Sequence, residues 1–166
     1  MAYSVIGNVV VPQLIADTST TQKLPLGRIV QAQDPTYGIA EFIYLKGVAS
    51  TVVGSIVNYR GTTWQTALGY VGENVASPMA VAMSANVASQ FGFYQISGIA
   101  IVAKACTVSF AAGAKIAVGS SSGLGVATLS GQELMGAVVS AVASATAGRT
   151  TVQVLVNRPH NQGRVT

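Results

Sequence analysis

The sequence predicts an all-β protein. The expected architecture is a compact, single-domain β-sandwich or β-barrel-like body of short antiparallel strands with an extended N-terminal arm. Three observations predict it. Between Phe110 and Asn157 the runs FAAGAKIAV, LGVATLS, ELMGAVVSAVASAT and RTTVQVLVN are apolar and rich in small residues. They are separated by glycine and serine punctuation, the pattern of short strands. TTVQVLVN alternates apolar and polar positions and is the clearest strand signal in the chain. No apolar stretch reaches the about 18–20 uninterrupted residues of a membrane-spanning helix, because Ser, Thr, Gly, Asn or Lys breaks every candidate, including 76–88 and 99–105. At 166 residues the chain is one domain by size and long enough to bury a core.

Taken in order, residues 1–23 read as the arm. VIGNVVVPQLI is β-branched, but Pro12 interrupts a central strand and the polar run ADTSTTQK follows. Two readings stand side by side: an arm ordered against another subunit, or an edge strand of the same domain. The body is assigned to 24–158. LPLGRIVQAQD supplies one short strand, and Asp34-Pro35-Thr36-Tyr37-Gly38 is a turn with an Asp that caps its own backbone, a Pro of preset φ and a Gly free to take positive φ. In IAEFIYLKGV, Phe42 and Tyr44 share one face with Lys46, while Glu41, Ile43 and Leu45 share the other. Apolar bulk on both faces predicts a strand covered on both sides. Arg60-Gly61-Thr62 marks a hairpin across which Tyr59 and Trp64 are positioned to pair, which gives Trp64 a packing role.

Two segments carry both helix and strand signals. In 77–90, Ser77-Pro78 resembles a helix start, whereas Val81 and Met83 alternate with smaller residues and Asn86 and Ser89-Gln90 are turn material; strand, turn, strand is the preferred reading. In 133–147, Leu134, Val138 and Val142 have helical spacing, while Gly136, Val138-Val139 and the Ser/Thr content favour strand. Gly98 interrupts an otherwise extended GFYQISGIAIVAKACTVSF as a bulge or corner. Residues 159–166 follow as an expected exposed tail.

Composition restricts the function classes. Half the residues are hydrophobic and 8% are charged, against roughly 25% charged in an ordinary soluble domain. A surface covered by protein partners accounts for that deficit. The net charge is +4, but the nine basic residues are scattered with no adjacent pair, so there is no linear basic stripe for nucleic acid. Cys106 is the single cysteine, which rules out an internal disulfide, and its apolar surroundings read as burial. The start MAYSVIGNVVVPQ lacks the order of a signal peptide, so cytoplasmic synthesis is expected.

No chemistry assembles in the linear sequence. Asp17, Asp34, Glu41, Glu73 and Glu133 each stand alone, and the only histidine, His160, falls in the expected tail. GSSSGLG at 119–125 lacks the Lys-Ser/Thr pair of a phosphate loop. Its GSSSG matches the hydrolase elbow around Ser121, but a strand-like LGVATLS follows where that elbow needs a helix. The expectation is no catalytic, cofactor-binding or metal-binding residue, and no cofactor.

The segments QAQDPTYGIAEFIYLKGVASTVVGSIVNY, PMAVAMSANVASQFGFYQISGIAIVAKACTVSFAAGA and VVSAVASATAGRTTVQVLVNRPHNQ resemble those of the capsid decoration, or cement, proteins of tailed bacteriophages. The resemblance covers roughly residues 27–162 and rests on sequence texture and order. It implies a non-enzymatic virion protein that binds the outer surface of the expanded capsid as a homo-oligomer, a trimer in preference to a dimer. Its partner would be the major capsid protein, whose neighbouring subunits it would clamp, with neither nucleic acid nor membrane as partner. A β-rich receptor-binding or appendage protein of a head or tail fibre is the alternative.

Overall fold

The computed structural model describes residues 3–7, 10–70, 76–105, 107–119, 123–128, 132–145 and 150–162. Among them there is no helix. Eleven strands follow in chain order: β1 (Ser4–Val5), β2 (Ile29–Asp34), β3 (Gly38–Lys46), β4 (Ile56–Tyr59), β5 (Thr66–Leu68), β6 (Met79–Ala82), β7 (Phe91–Lys104), β8 (Ile116–Val118), β9 (Gly125–Ala127), β10 (Leu134–Val139) and β11 (Thr150–Asn161). They form one connected sheet that does not close into a barrel. Pairing between the strands is antiparallel except for the contact of Lys104 with Gly125, where β7 meets β9.

The fourteen-residue β7 organises the sheet. Tyr94 and Gln95 pair with β3 and β6 at once, and Ser97 pairs with both β3 and β11. One edge of β7 therefore carries β3, and the other carries β6 and then β11. The change of partner coincides with Gly98, whose φ of 95° is a conformation that favours glycine. A Cβ there would meet the Ile39 carbonyl oxygen at 2.9 Å. The Gln95 amide spans the corner, donating to the Ser97 carbonyl at 3.1 Å and the Ile99 carbonyl at 3.0 Å, which satisfies backbone acceptors that the irregular ladder leaves free.

Both faces of the sheet are buried near β7. Phe42, Tyr44 and Phe93 pack with Val30, Ala32, Ala40 and Ile15 on one side. Ile43, Leu45, Tyr94 and Ile96 pack with Val57, Ala80 and Ala82 on the other. Past Gly98, Ala100 and Val102 join Val152, Val154, Val156, Val139, Ile116 and Ile56 in a third cluster. β3 is thus covered on both sides, as its two apolar faces predict.

Local expectations translate into identifiable contacts. Asp34 Oδ1 accepts from the Thr36 and Tyr37 amides at 2.7 and 2.9 Å, closing the β2–β3 turn. The Tyr59 and Trp64 rings stack at 6.3 Å with 23° between planes. Both ambiguous segments contain strands, β6 in 77–90 and β10 in 133–147. The structure resolves the N-terminal alternatives in favour of an edge strand of the same domain. Ser4 and Val5 pair with Gln33 and Ala32, Ile15 is buried, and Ser19 bridges to Phe91. At the other end the chain stays in the sheet beyond Pro159. β11 runs to a buried Asn161, whose amide nitrogen donates to the Ser77 carbonyl and whose side chain donates to the Tyr70 carbonyl. These bonds hold 159–161 in the sheet and correct the expectation of an exposed tail there.

Candidate functional site

β11 alternates from Thr151 to Asn157 and slips by one position at Arg158. Val152, Val154 and Val156 enter the core, while Leu155 and Asn157 are exposed and Gln153 is half-buried. Register then fixes what lies beside the outward residues. Leu155 stands opposite Ile99 of β7 on one side and Val138 of β10 on the other. Side chains of directly opposed residues share a face, so Val138, Leu155 and Ile99 form a cross-strand apolar row on the outside of the sheet. Ile39, the second residue of β3, lies beside the Gly98 corner and is 63% exposed; Leu155 is 46% exposed.

Polar groups rim this row. Glu41, opposite Ser97, is paired with Arg158 at 3.0 Å and accepts from Gln31 Nε2 at 3.3 Å. Gln153 Nε2 donates to the Tyr37 hydroxyl at 3.2 Å, fastening the β2–β3 turn to β11. Arg158 has a φ of 46°, unusual for a residue with a side chain, at the point where β11 leaves β7 and the bridge from Pro78 to His160 begins. An apolar centre with a polar, hydrogen-bonded rim is the anatomy of a protein–protein interface, and exposed contiguous apolar surface marks such sites. Val10 and Leu14, 88% and 69% exposed, add apolar surface on the N-terminal segment.

The residues considered for chemistry do not converge here. Asp34 Oδ1 is committed to its turn, Glu41 and Glu133 are paired with Arg158 and Lys115, and His160 lies exposed on β11. Among the described residues no group of three or more His, Cys, Asp or Glu is placed to hold a metal ion. No helix among them is long and apolar enough to cross a membrane. Glu73, Cys106, Ser121 and the 147–149 turn lie outside the described residues.

No known protein-family model matches the chain. No curated protein matches it significantly either.

Sequence reading misses two features. The outward row is one, because Leu155 and Ile99 are 56 positions apart and only register brings them together. Lys104 is the other. It is 1% exposed at the end of β7, and its ammonium donates to the Val108 carbonyl at 2.6 Å and the Ala105 carbonyl at 3.4 Å. A lysine between apolar residues in IVAKACTV carries no sequence signal of such burial, since lysine is almost never fully buried.

Proposed function

We propose that this protein is a structural, non-enzymatic component of a phage virion. It binds the outer surface of the capsid and stabilises the expanded shell by clamping neighbouring major capsid subunits, acting as a homo-oligomer, with a trimer favoured. The observation that supports this reading is the outward row Val138–Leu155–Ile99 with Ile39 beside it, in a chain of which only 8% is charged. A ligand that binds only one lattice state stabilises that state by mass action. Many copies, each with a modest interface, multiply the effect.

The test is co-sedimentation of purified protein with expanded and unexpanded capsids of the phage that encodes it. Stoichiometric binding to expanded shells and little binding to unexpanded ones is the expected result. Binding to neither, with attachment to bacterial cells, would replace this reading with that of a receptor-binding appendage.

A further inference from the structure

The uncompensated cations of this protein gather at one end. Among the described residues, Lys115 is paired with Glu133, Arg158 is paired with Glu41, and Lys104 is buried on backbone carbonyls. The described basic residues that remain are Lys23, Arg28, Lys46 and Arg60, and none of them has an ion-pair partner among the described residues. Lys23, Arg28 and Arg60 are exposed, and Lys46 is half-buried.

Two aromatic residues bring these separate stretches of chain together. The Tyr44 hydroxyl accepts from the Lys23 amide at 3.2 Å, and the Tyr44 amide donates to the Arg28 carbonyl at 2.9 Å. The Trp64 carbonyl accepts from the Lys46 amide at 3.0 Å, and the Trp64 amide donates to the Arg60 carbonyl at 2.7 Å. Gly27, next to Arg28, lies against the Trp64 ring, where a Cβ would fall within 2.6 Å, so the two groups adjoin. Of the described carboxylates, Asp34 is committed to its turn, Glu41 and Glu133 are paired, and Asp17 pairs with no cation. Like charges held together repel and oppose the compact state until an anion compensates them. The basic end is also separate from the apolar row: Lys46 and Ile39 stand near opposite ends of β3, roughly 20 Å apart at the rise of an extended strand.

We propose that this end is a second interaction surface, one that binds an acidic protein surface carrying clustered Asp or Glu side chains. Arg28 and Arg60 each take a carboxylate, which the arginine fork matches bidentately. Lys23 and Lys46 add positive potential around them, which steers an acidic partner to this end. Nucleic acid fits less well, because a single-strand site needs aromatic faces open to bases. Here the Tyr59 and Trp64 rings stack on each other, and Gly27 lies against the Trp64 ring. The assignment goes beyond the capsid reading and does not depend on it, since it rests on the charge distribution and not on the apolar row.

The test is a titration of ¹⁵N-labelled full-length protein with a glutamate-rich peptide, followed by amide chemical shifts, with a short DNA duplex and phosphatidylserine vesicles as competing probes. Saturable shifts confined to residues 23–28, 44–47 and 60–66 are expected, weakening as salt is raised. Arg28→Glu combined with Arg60→Glu should lower peptide affinity by about tenfold or more. Both side chains are exposed and only their carbonyls hold the backbone bonds described, so the fold is not at issue. Lys115→Gln, which removes a cation elsewhere on the surface, should leave the affinity unchanged. Shifts spread over the whole surface, an equal loss in Lys115→Gln, or tighter binding of the duplex or the vesicles than of the peptide would each overturn the proposal.

Discussion

The Tyr44 hydroxyl donates to Gln13 Oε1 over 2.9 Å, joining the N-terminal segment to the middle of β3 inside the protein. The same hydroxyl accepts from the Lys23 amide at 3.2 Å, and Gln13 Nε2 donates to the Asp17 and Phe91 carbonyls at 2.9 and 3.0 Å. One glutamine thus ties residues 13–23 to two strands.

Replacing Gln13 with Ala removes three hydrogen bonds and leaves the buried Tyr44 hydroxyl without its acceptor, while the Phe91 and Asp17 carbonyls keep bonds from the Ser19 amide and the Ser84 hydroxyl. The expected cost is about 1–3 kcal/mol of stability. Urea denaturation measures it, and amide exchange should accelerate first in residues 10–23. A variant with wild-type stability and exchange would show that the segment is not held by this network.

Leu155→Asp should leave the fold intact, because the side chain points outward and the strand's backbone pairing is unaffected. If the outward row is the capsid contact proposed above, capsid occupancy should fall at least tenfold, since a charge at the centre of an apolar contact has no partner. Val156→Asp, one residue on, should instead prevent folding, because Val156 is 1% exposed in the third cluster. Circular dichroism and co-sedimentation separate the two outcomes.

Gly98→Val places a β-branched side chain at a φ of 95° and a Cβ against the Ile39 carbonyl. Strain of this kind costs roughly 1–3 kcal/mol, or about 2–4 °C in Tm per kcal/mol for a chain of this size. A melting temperature equal to wild type would remove the corner from the account of how β7 changes partners.

High pH should destabilise the protein in a defined window. Burial pushes the Tyr94 hydroxyl up to about 12; it lies near Thr66 and Asn86 without a well-formed hydrogen bond to either. Tyr3 is also raised to about 12, first by burial and then by the nearby Asp34 and Tyr37. From the ordinary value of 10.0 up to about 12 the unfolded chain gives up these protons while the folded chain retains them. Stability is therefore fully present below about pH 10 and falls as pH rises towards about 12. Melting curves between about pH 8 and pH 12 should show this decline, and Tyr94→Phe should make it shallower. An unchanged slope in that variant would assign the effect to other groups.

Lys104→Met is expected to match or exceed wild-type stability, since an apolar isostere avoids desolvating an ammonium. Lys104→Ala should lose about 2–4 kcal/mol from the cavity that remains. Guanidinium titrations of both variants check this. A Met variant as unstable as the Ala variant would show that the bonds to the Val108 and Ala105 carbonyls stabilise the fold.

Much of the local structure is legible from sequence because its causes are local. The Asp34 turn, the Tyr59–Trp64 pair, the two covered faces of β3 and the bulge at Gly98 each follow from a few adjacent residues. The ends of the chain are less legible. The proline at position 159 reads as the start of a tail, yet the distant acceptors at Ser77 and Tyr70 decide where 159–161 lie. Likewise the edge position of β1 depends on Gln33 and Ala32, which no reading of residues 1–23 contains.

By itself, then, the sequence determined that the chain is all-β, where its main turns fall, and that it is poor in charge. Alternation and turn chemistry are encoded within a few residues of each other. Tertiary structure alone decided that β7 joins β3 and β6 to β11, that Leu155 lies between Ile99 and Val138, and that Asn58 is buried beneath the β4–β5 hairpin. Those relationships depend on register between strands far apart in the chain, where a shift of one residue exchanges the buried face for the exposed one.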